Sequence, residues 1–132
     1  MVIDSSALIA ILTDEPDAAL FAETIARATS RHTSTATLLE TAIVIESRHG
    51  ETGGAKLDEL IREANVQIEP VTADQVNIAR TAFRSYGKGR GHPAGLNFGD
   101  VFSYALAKTL DEPLLFKGDD FSKTDIKIVL SS

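Results

Sequence analysis

Met1-Val2-Ile3-Asp4-Ser5-Ser6-Ala7-Leu8-Ile9-Ala10-Ile11-Leu12 opens the chain and decides its class. It is a very short apolar strand ending on an acid, then two small hydroxyl residues, then an apolar helical run. A strand feeding a helix starts an α/β unit. In open α/β sheets, functional groups gather outside the carboxyl ends of the strands, and Asp4 stands at such an end. Asp is also a common helix N-cap, so Asp4 by itself leaves both roles open. The deciding question is whether other acids reach the same edge.

Strand and helix signals alternate along the rest of the chain. Thr13-Asp14-Glu15-Pro16-Asp17 is a turn, and a helix over 18–28 carries Phe21 and Ile25 on one stripe. His32-Thr33-Ser34-Thr35-Ala36 is a β-branched, hydroxyl-rich strand candidate. A helix over 38–48 follows, broken by the glycine-rich stretch 50–54, and a second helix runs over 55–64. Val66-Gln67-Ile68-Glu69-Pro70-Val71 alternates as a strand and stops at proline. A helix over 72–86, a helix from about Asp100 to Lys108, a buried strand over 113–116 and an edge strand over 126–130 complete the pattern. This alternation predicts a parallel sheet with helical crossovers.

At 132 residues the chain is read as one domain with a real core. It has no cysteine, which removes disulfides and thiolate metal sites and fits a cytoplasmic setting. No secretory leader is apparent, and no apolar run approaches the roughly 18 residues of a membrane span. The net charge of −6 argues at first against a nucleic-acid partner. The distribution says otherwise. The segment between Gln75 and Gly99 has no acid but holds Arg80, Arg84, Lys88, Arg90 and His92. The other residues then carry all 19 acids against 13 − 4 = 9 basic residues. A basic segment beside an acidic body is either an anion-binding face or a solvated helix face with a flexible loop, 87–95. That loop lacks the spacing of a P-loop, and the three histidines lack metal-ligand spacing.

Several acids occupy telling positions. Glu40 has helical neighbours Ala36, Thr37, Ile43 and Val44, so it projects from a mostly apolar face. A carboxylate there needs a cation, a shared site or an opening to water. Asp100 heads a helix behind Asn97, a variant of the capping box. Asp119 and Asp120 follow the strand over 113–116. If these acids converge with Asp4, their repulsion calls for a hard cation such as Mg²⁺, which takes oxygen ligands. Such a site suits phosphodiester cleavage.

These residues carry a family resemblance. Val2-Ile3-Asp4-Ser5-Ser6-Ala7-Leu8, Leu39-Glu40, Asn97-Phe98-Gly99-Asp100-Val101-Phe102-Ser103-Tyr104-Ala105-Leu106-Ala107 and Leu114-Leu115-Phe116-Lys117-Gly118-Asp119-Asp120-Phe121 stand in the order of a PIN-domain protein. The chain resembles the VapC type of toxin over its full length. The resemblance implies a three-layer α/β fold in one PIN-like domain, 1–132, with a mostly parallel central sheet of about five short strands and helices on both faces. It implies a Mg²⁺- or Mn²⁺-dependent ribonuclease, the toxin of a toxin–antitoxin pair, forming a homodimer and inhibited by a VapB-like antitoxin. By the match, Asp4 and Asp100 are metal ligands, Glu40 is the third acid and Asp120 the fourth. The last motif departs from the pattern: Phe116 replaces a threonine and Gly118 an aspartate, which leaves Asp119 or Asp125 as substitutes. Ser5 stands where threonine is frequent, and its hydroxyl can orient Asp4.

Two other classes compete. One is a different phosphoryl-transfer domain with a strand-end aspartate: a phosphatase would need a second aspartate where Ser6 stands, and a receiver-like domain would use Lys117. The other is a non-catalytic RNA-binding or scaffold module whose acids are caps and surface.

Overall fold

The computed structural model describes residues 1–129. In chain order the elements are β1 (Val2–Ile3), α1 (Ser5–Leu12), α2 (Ala18–Arg27), β2 (His32–Ser34), α3 (Thr35–Glu63), β3 (Gln67–Glu69), α4 (Ala73–Tyr86), α5 (Asp100–Leu110) and β4 (Leu114–Leu115), with a 3₁₀ turn at Phe121–Lys123. The strands form one parallel sheet in the order β3-β2-β1-β4. Val2 aligns with His32 on one side and Leu114 on the other.

Side chains alternate across a strand, and β1 and β4 show what that does here. Val2 and Leu114 join the apolar cluster of α4 and α5, with Ala79, Val101, Leu106 and Phe121. Ile3 and Leu115 point the opposite way, into a cluster with Leu8, Phe21, Ile25 and Val66. All four of these strand residues are fully buried. Two-residue strands suffice because both faces are covered, giving the expected three layers.

The topology also places a site. From β1 the chain moves outward through β2 and β3, then crosses back to lay β4 on the other flank of β1. The order therefore reverses at β1, and ligands in such sheets bind outside the carboxyl ends at this switch point. Asp4 is the residue that leaves β1 there, with its N–H donating to the Leu115 carbonyl of β4 at 2.9 Å.

Three local expectations are corrected. Among the described residues the sheet has four strands, and the expected fifth is a single parallel bridge between Leu114 and Ile128. Leu114 N–H donates to Lys127 O and Val129 N–H to Leu114 O, at 2.9 and 3.1 Å. The approach is this brief because Asp125 is tied to α5 through Tyr104 and Lys108, so the chain reaches two-residue β4 only at 127–129. Leu130, the end of the expected strand, lies outside the described residues. Second, the glycine-rich break narrows to Gly50, at φ 64, and residues 51–54 are helical. Gly53 serves close packing instead: a Cβ there would lie 2.7 Å from Ile45 Cγ2. Third, the 87–95 loop is fastened rather than loose. Lys88 N–H donates to Leu96 O and Leu96 N–H to Tyr86 O, each at 2.8 Å, while Ala94 and Leu96 are buried.

Candidate active site

Asp4 caps α1 and faces a site at the same time, so the two roles left open by the sequence are both filled. Its Oδ2 accepts from Ser6 N–H at 3.1 Å and from Ser6 Oγ at 2.7 Å. Its Oδ1 accepts from Ser103 Oγ at 2.5 Å. Ser6 Oγ in turn accepts from Lys117 N–H, just past β4, at 2.9 Å. Ser103 is fully buried and lies 3.3 Å from Thr37 Oγ1 of α3. Asp4 is thus held from α1, β4 and α5, and it is only 3% exposed.

Glu40 comes from α3. Its Oε1 accepts from Ser5 Oγ at 3.0 Å. Burial pushes its carboxyl above the ordinary range, and the nearby Asp4 charge adds to this against the Ser5 hydrogen bond. The other side of Glu40 lies against Gly99. A Cβ built there would sit 2.7 Å from the Glu40 carboxyl carbon, so the Glu40 carboxylate would have to move away. Gly99 therefore leaves the space that lets Glu40 reach the start of α5.

Asp100 opens α5 in a reciprocal cap. Asp100 N–H donates to Asn97 Oδ1 at 2.9 Å, and Asn97 N–H donates to Asp100 Oδ2 at 3.0 Å. Burial first, and then the charges of Asp4, Asp120 and Glu40, push the Asp100 carboxyl up to about 7 against the stabilising Asn97 N–H. Ser5 beside Asp4 holds Glu40, Gly99 beside Asp100 lies against Glu40, and Ser103 of α5 holds Asp4, so these three acids lie near one another, and the charge of Asp120 also reaches Asp100. Asp120 is the exposed member, and none of the four makes an ion pair among the described residues.

Of the substitute acids, Asp125 falls elsewhere. Asp125 accepts from Tyr104 Oη at 2.6 Å and pairs with Lys108 at 2.7 Å. Asp119 uses its backbone carbonyl to accept from Ser122. The hydroxyl roles also differ from expectation. Ser5 orients Glu40, while Ser6 and Ser103 orient Asp4. Ser5 and Ser6 are successive residues of α1 and point in different directions, so each meets a different acid. Ser103 was missed altogether. Its signal was present: it lies three residues after Asp100, on the same helix face.

The donor set fits a hard divalent cation. It is all oxygen and strongly anionic, and neighbouring negative charge adds to the rise at Asp100 and Glu40. Among the described residues the acids do not close into a ready-made cage of three or more ligands. Mg²⁺ keeps several waters and needs only one or two carboxylates, so an open set suits it. Competing chemistries lose their residues. Lys117 is spent on Glu15 and Asp17 rather than directed at Asp4. His32 pairs with Glu69, and His92 Nδ1 accepts from Ala94 N–H inside its own loop, so no two imidazoles face one phosphate.

Similarity to known proteins agrees with this geometry. A family profile described as PIN domain matches residues 1–127. The chain is 60% identical over 129 residues to a protein of Mycolicibacterium smegmatis named Ribonuclease VapC, covering 98% of this chain and 99% of that one. Two solved structures share the fold at low identity. One is the Mycobacterium tuberculosis VapC20 toxin, described as cleaving the sarcin–ricin loop (TM-score 0.76, 19% identity, 97% of each chain). The other is a toxin–antitoxin complex from Klebsiella pneumoniae (TM-score 0.71, 16% identity, 97% of this chain and 95% of that one). An acid cluster at the switch point of a short parallel sheet, on a chain this close to a named ribonuclease, leaves one conclusion: the chain belongs to the PIN-domain family, among its VapC ribonucleases.

Proposed function

We propose that this chain is an endoribonuclease toxin that hydrolyses RNA phosphodiester bonds at the cluster of Asp4, Glu40, Asp100 and Asp120. The supporting observation is the gathering of four acids with no protein cation among the described residues to balance them. PIN-domain VapC ribonucleases are metal-dependent in general. The finer reading is that Asp4 and Asp100 hold Mg²⁺ or Mn²⁺. When bound, such a cation neutralises charge on the phosphate and lowers the pKa of an attacking water.

The chain's own residues do the rest. Three hydrogen bonds from Ser6 and Ser103 fix the Asp4 carboxylate in one orientation. The Asn97 N–H occupies Asp100 Oδ2, which leaves Oδ1 for a ligand. Glu40 is held by Ser5 and has a raised affinity for a proton, as suits a group that orients or deprotonates water. Asp120 adds negative charge at the mouth.

Residues 1–132 act in this reading as one PIN-like domain, in the cytoplasm, as a homodimer restrained by a VapB-like antitoxin. The complex among the fold relatives supports that partner class. Among the described residues no helix is long and apolar enough to cross a membrane. The test is calorimetric titration of Mn²⁺ into wild type, Asp4→Asn and Asp100→Asn. Binding should be lost or strongly weakened in both variants. Unchanged affinity in both would remove these residues as ligands.

A further inference from the structure

A cleft of about 720 Å³ opens between α4 and α5, with Asn97, the hydrogen-bond partner of Asp100, on its wall. Its floor is apolar, with Val76, Phe83, Phe98 and Phe102. Phe98 lies two residues before Asp100 and is 77% exposed, an unusual exposure for so large an apolar side chain. Phe102 braces it in a T-shaped contact, ring centroids 5.1 Å apart, without covering it. The rim is basic: Arg80, Arg84, Lys88 and Arg90 all line the cleft. Arg90 is drawn over the Phe83 ring at 5.6 Å. Among the described residues none of these four cations makes an ion pair, whereas Lys108, Lys117 and Lys127 each hold an acid.

An aromatic platform beneath free cations matches a ligand with flat apolar faces and a regular line of negative charge. Single-stranded nucleic acid has that chemistry, with bases stacking on aromatic rings and phosphates tracking the basic groove. A second copy of this chain fits less well. A two-fold contact centred on this face would press the basic rim against itself and desolvate like charges.

We propose that this cleft is a base-stacking subsite for single-stranded RNA. Phe98 carries a nucleobase flanking the scissile phosphate, and Arg84, Lys88 and Arg90 hold the adjoining backbone phosphates. The proposal rests on the ribonuclease reading and adds to it how bases are engaged.

The test compares two chains of equal length and charge, an oligouridylate and an abasic ribose-phosphate oligomer, by fluorescence anisotropy in EDTA. Wild type should bind the base-bearing chain about 5- to 150-fold more tightly, the range of one stacked base. Phe98→Ala should abolish that ratio and Phe98→Tyr should keep it. Neutralising Arg84, Lys88 and Arg90 together should weaken both ligands equally. Phe98 is exposed, so its truncation leaves the core intact. An unchanged ratio in Phe98→Ala overturns the proposal. So does equal loss of both ligands with a lowered mass by light scattering, which makes Phe98 a protein–protein contact. Metal-dependent RNA cleavage by wild type, assayed separately, tests the ribonuclease reading on its own.

Discussion

Asp100→Asn should make the metal-free protein more stable while destroying its metal site. The side chain keeps its shape, and an amide oxygen can still accept from Asn97 N–H. What disappears is a charge the fold holds at a cost. The Asp100 carboxyl sits at about 7 in the native state against an ordinary 3.8. Between those values the folded chain holds a proton that the unfolded chain has released, so wild-type stability falls as pH rises from 3.8 to about 7 and stays lost above it. Unscreened, the gap amounts to about 4 kcal/mol. Asp100 is partly open to water, and screening reduces this to roughly 1–2 kcal/mol. For a chain of this size that is about 3–10 °C in melting temperature. Melts in EDTA should therefore show the variant ahead of wild type at pH 8 and level with it near pH 4. Added Mn²⁺ should raise wild type by mass action and the variant much less. A variant that melts below wild type at pH 8 in EDTA would show that Asp100 is a structural cap and not a repelled site acid.

Other perturbations probe the neighbours. Ser103→Ala removes the buried donor to Asp4 Oδ1 and should lower metal affinity or cleavage about 10- to 100-fold; titration calorimetry and initial rates measure this, and wild-type values would make the contact incidental. Gly99→Ala forces a Cβ into the Glu40 carboxylate, so activity should fall to the level of Glu40→Gln, and the double variant should be no worse than either. Additive losses would mean that Gly99 acts on something else. Neutralising Arg84, Lys88 and Arg90 should flatten the salt dependence of RNA binding by about two in log–log slope, and an unchanged slope would leave the segment as plain surface.

Much of this was legible in the residues. A strand as short as Val2–Ile3 was recognisable because the acid, the hydroxyls and the apolar helix after it leave little else for it to be. Asn97 and Asp100 read as a capping pair, and the structure has both hydrogen bonds. Glu40 read as a carboxylate on an apolar face in need of company, and company is what it finds. The misreadings share a cause: each depended on tertiary contacts, and only Ser103 carried a local signal, its spacing from Asp100. Ser5, expected to orient Asp4, is turned by α1 to Glu40, and Ser6 takes its place on Asp4. Ser103 looked like one more small helix residue until packing turned it to Asp4. The basic loop read as flexible from its glycines, yet the buried side chains of Ala94 and Leu96 anchor it. Among the described residues the last strand dwindled to one bridge because the tie of Asp125 to α5 delays its approach to the two-residue β4.

The most direct test of the central claim is the chemistry of the cut ends. Asp4 and Asp100 are cast as ligands of a cation that activates water, and no pair of histidines is placed to exchange protons on the RNA. Cleavage of end-labelled RNA by the purified protein with Mn²⁺ should leave 5′-phosphate and 3′-hydroxyl ends and should stop in excess EDTA. Products with 2′,3′-cyclic phosphate ends, or cleavage that continues in EDTA, would contradict it.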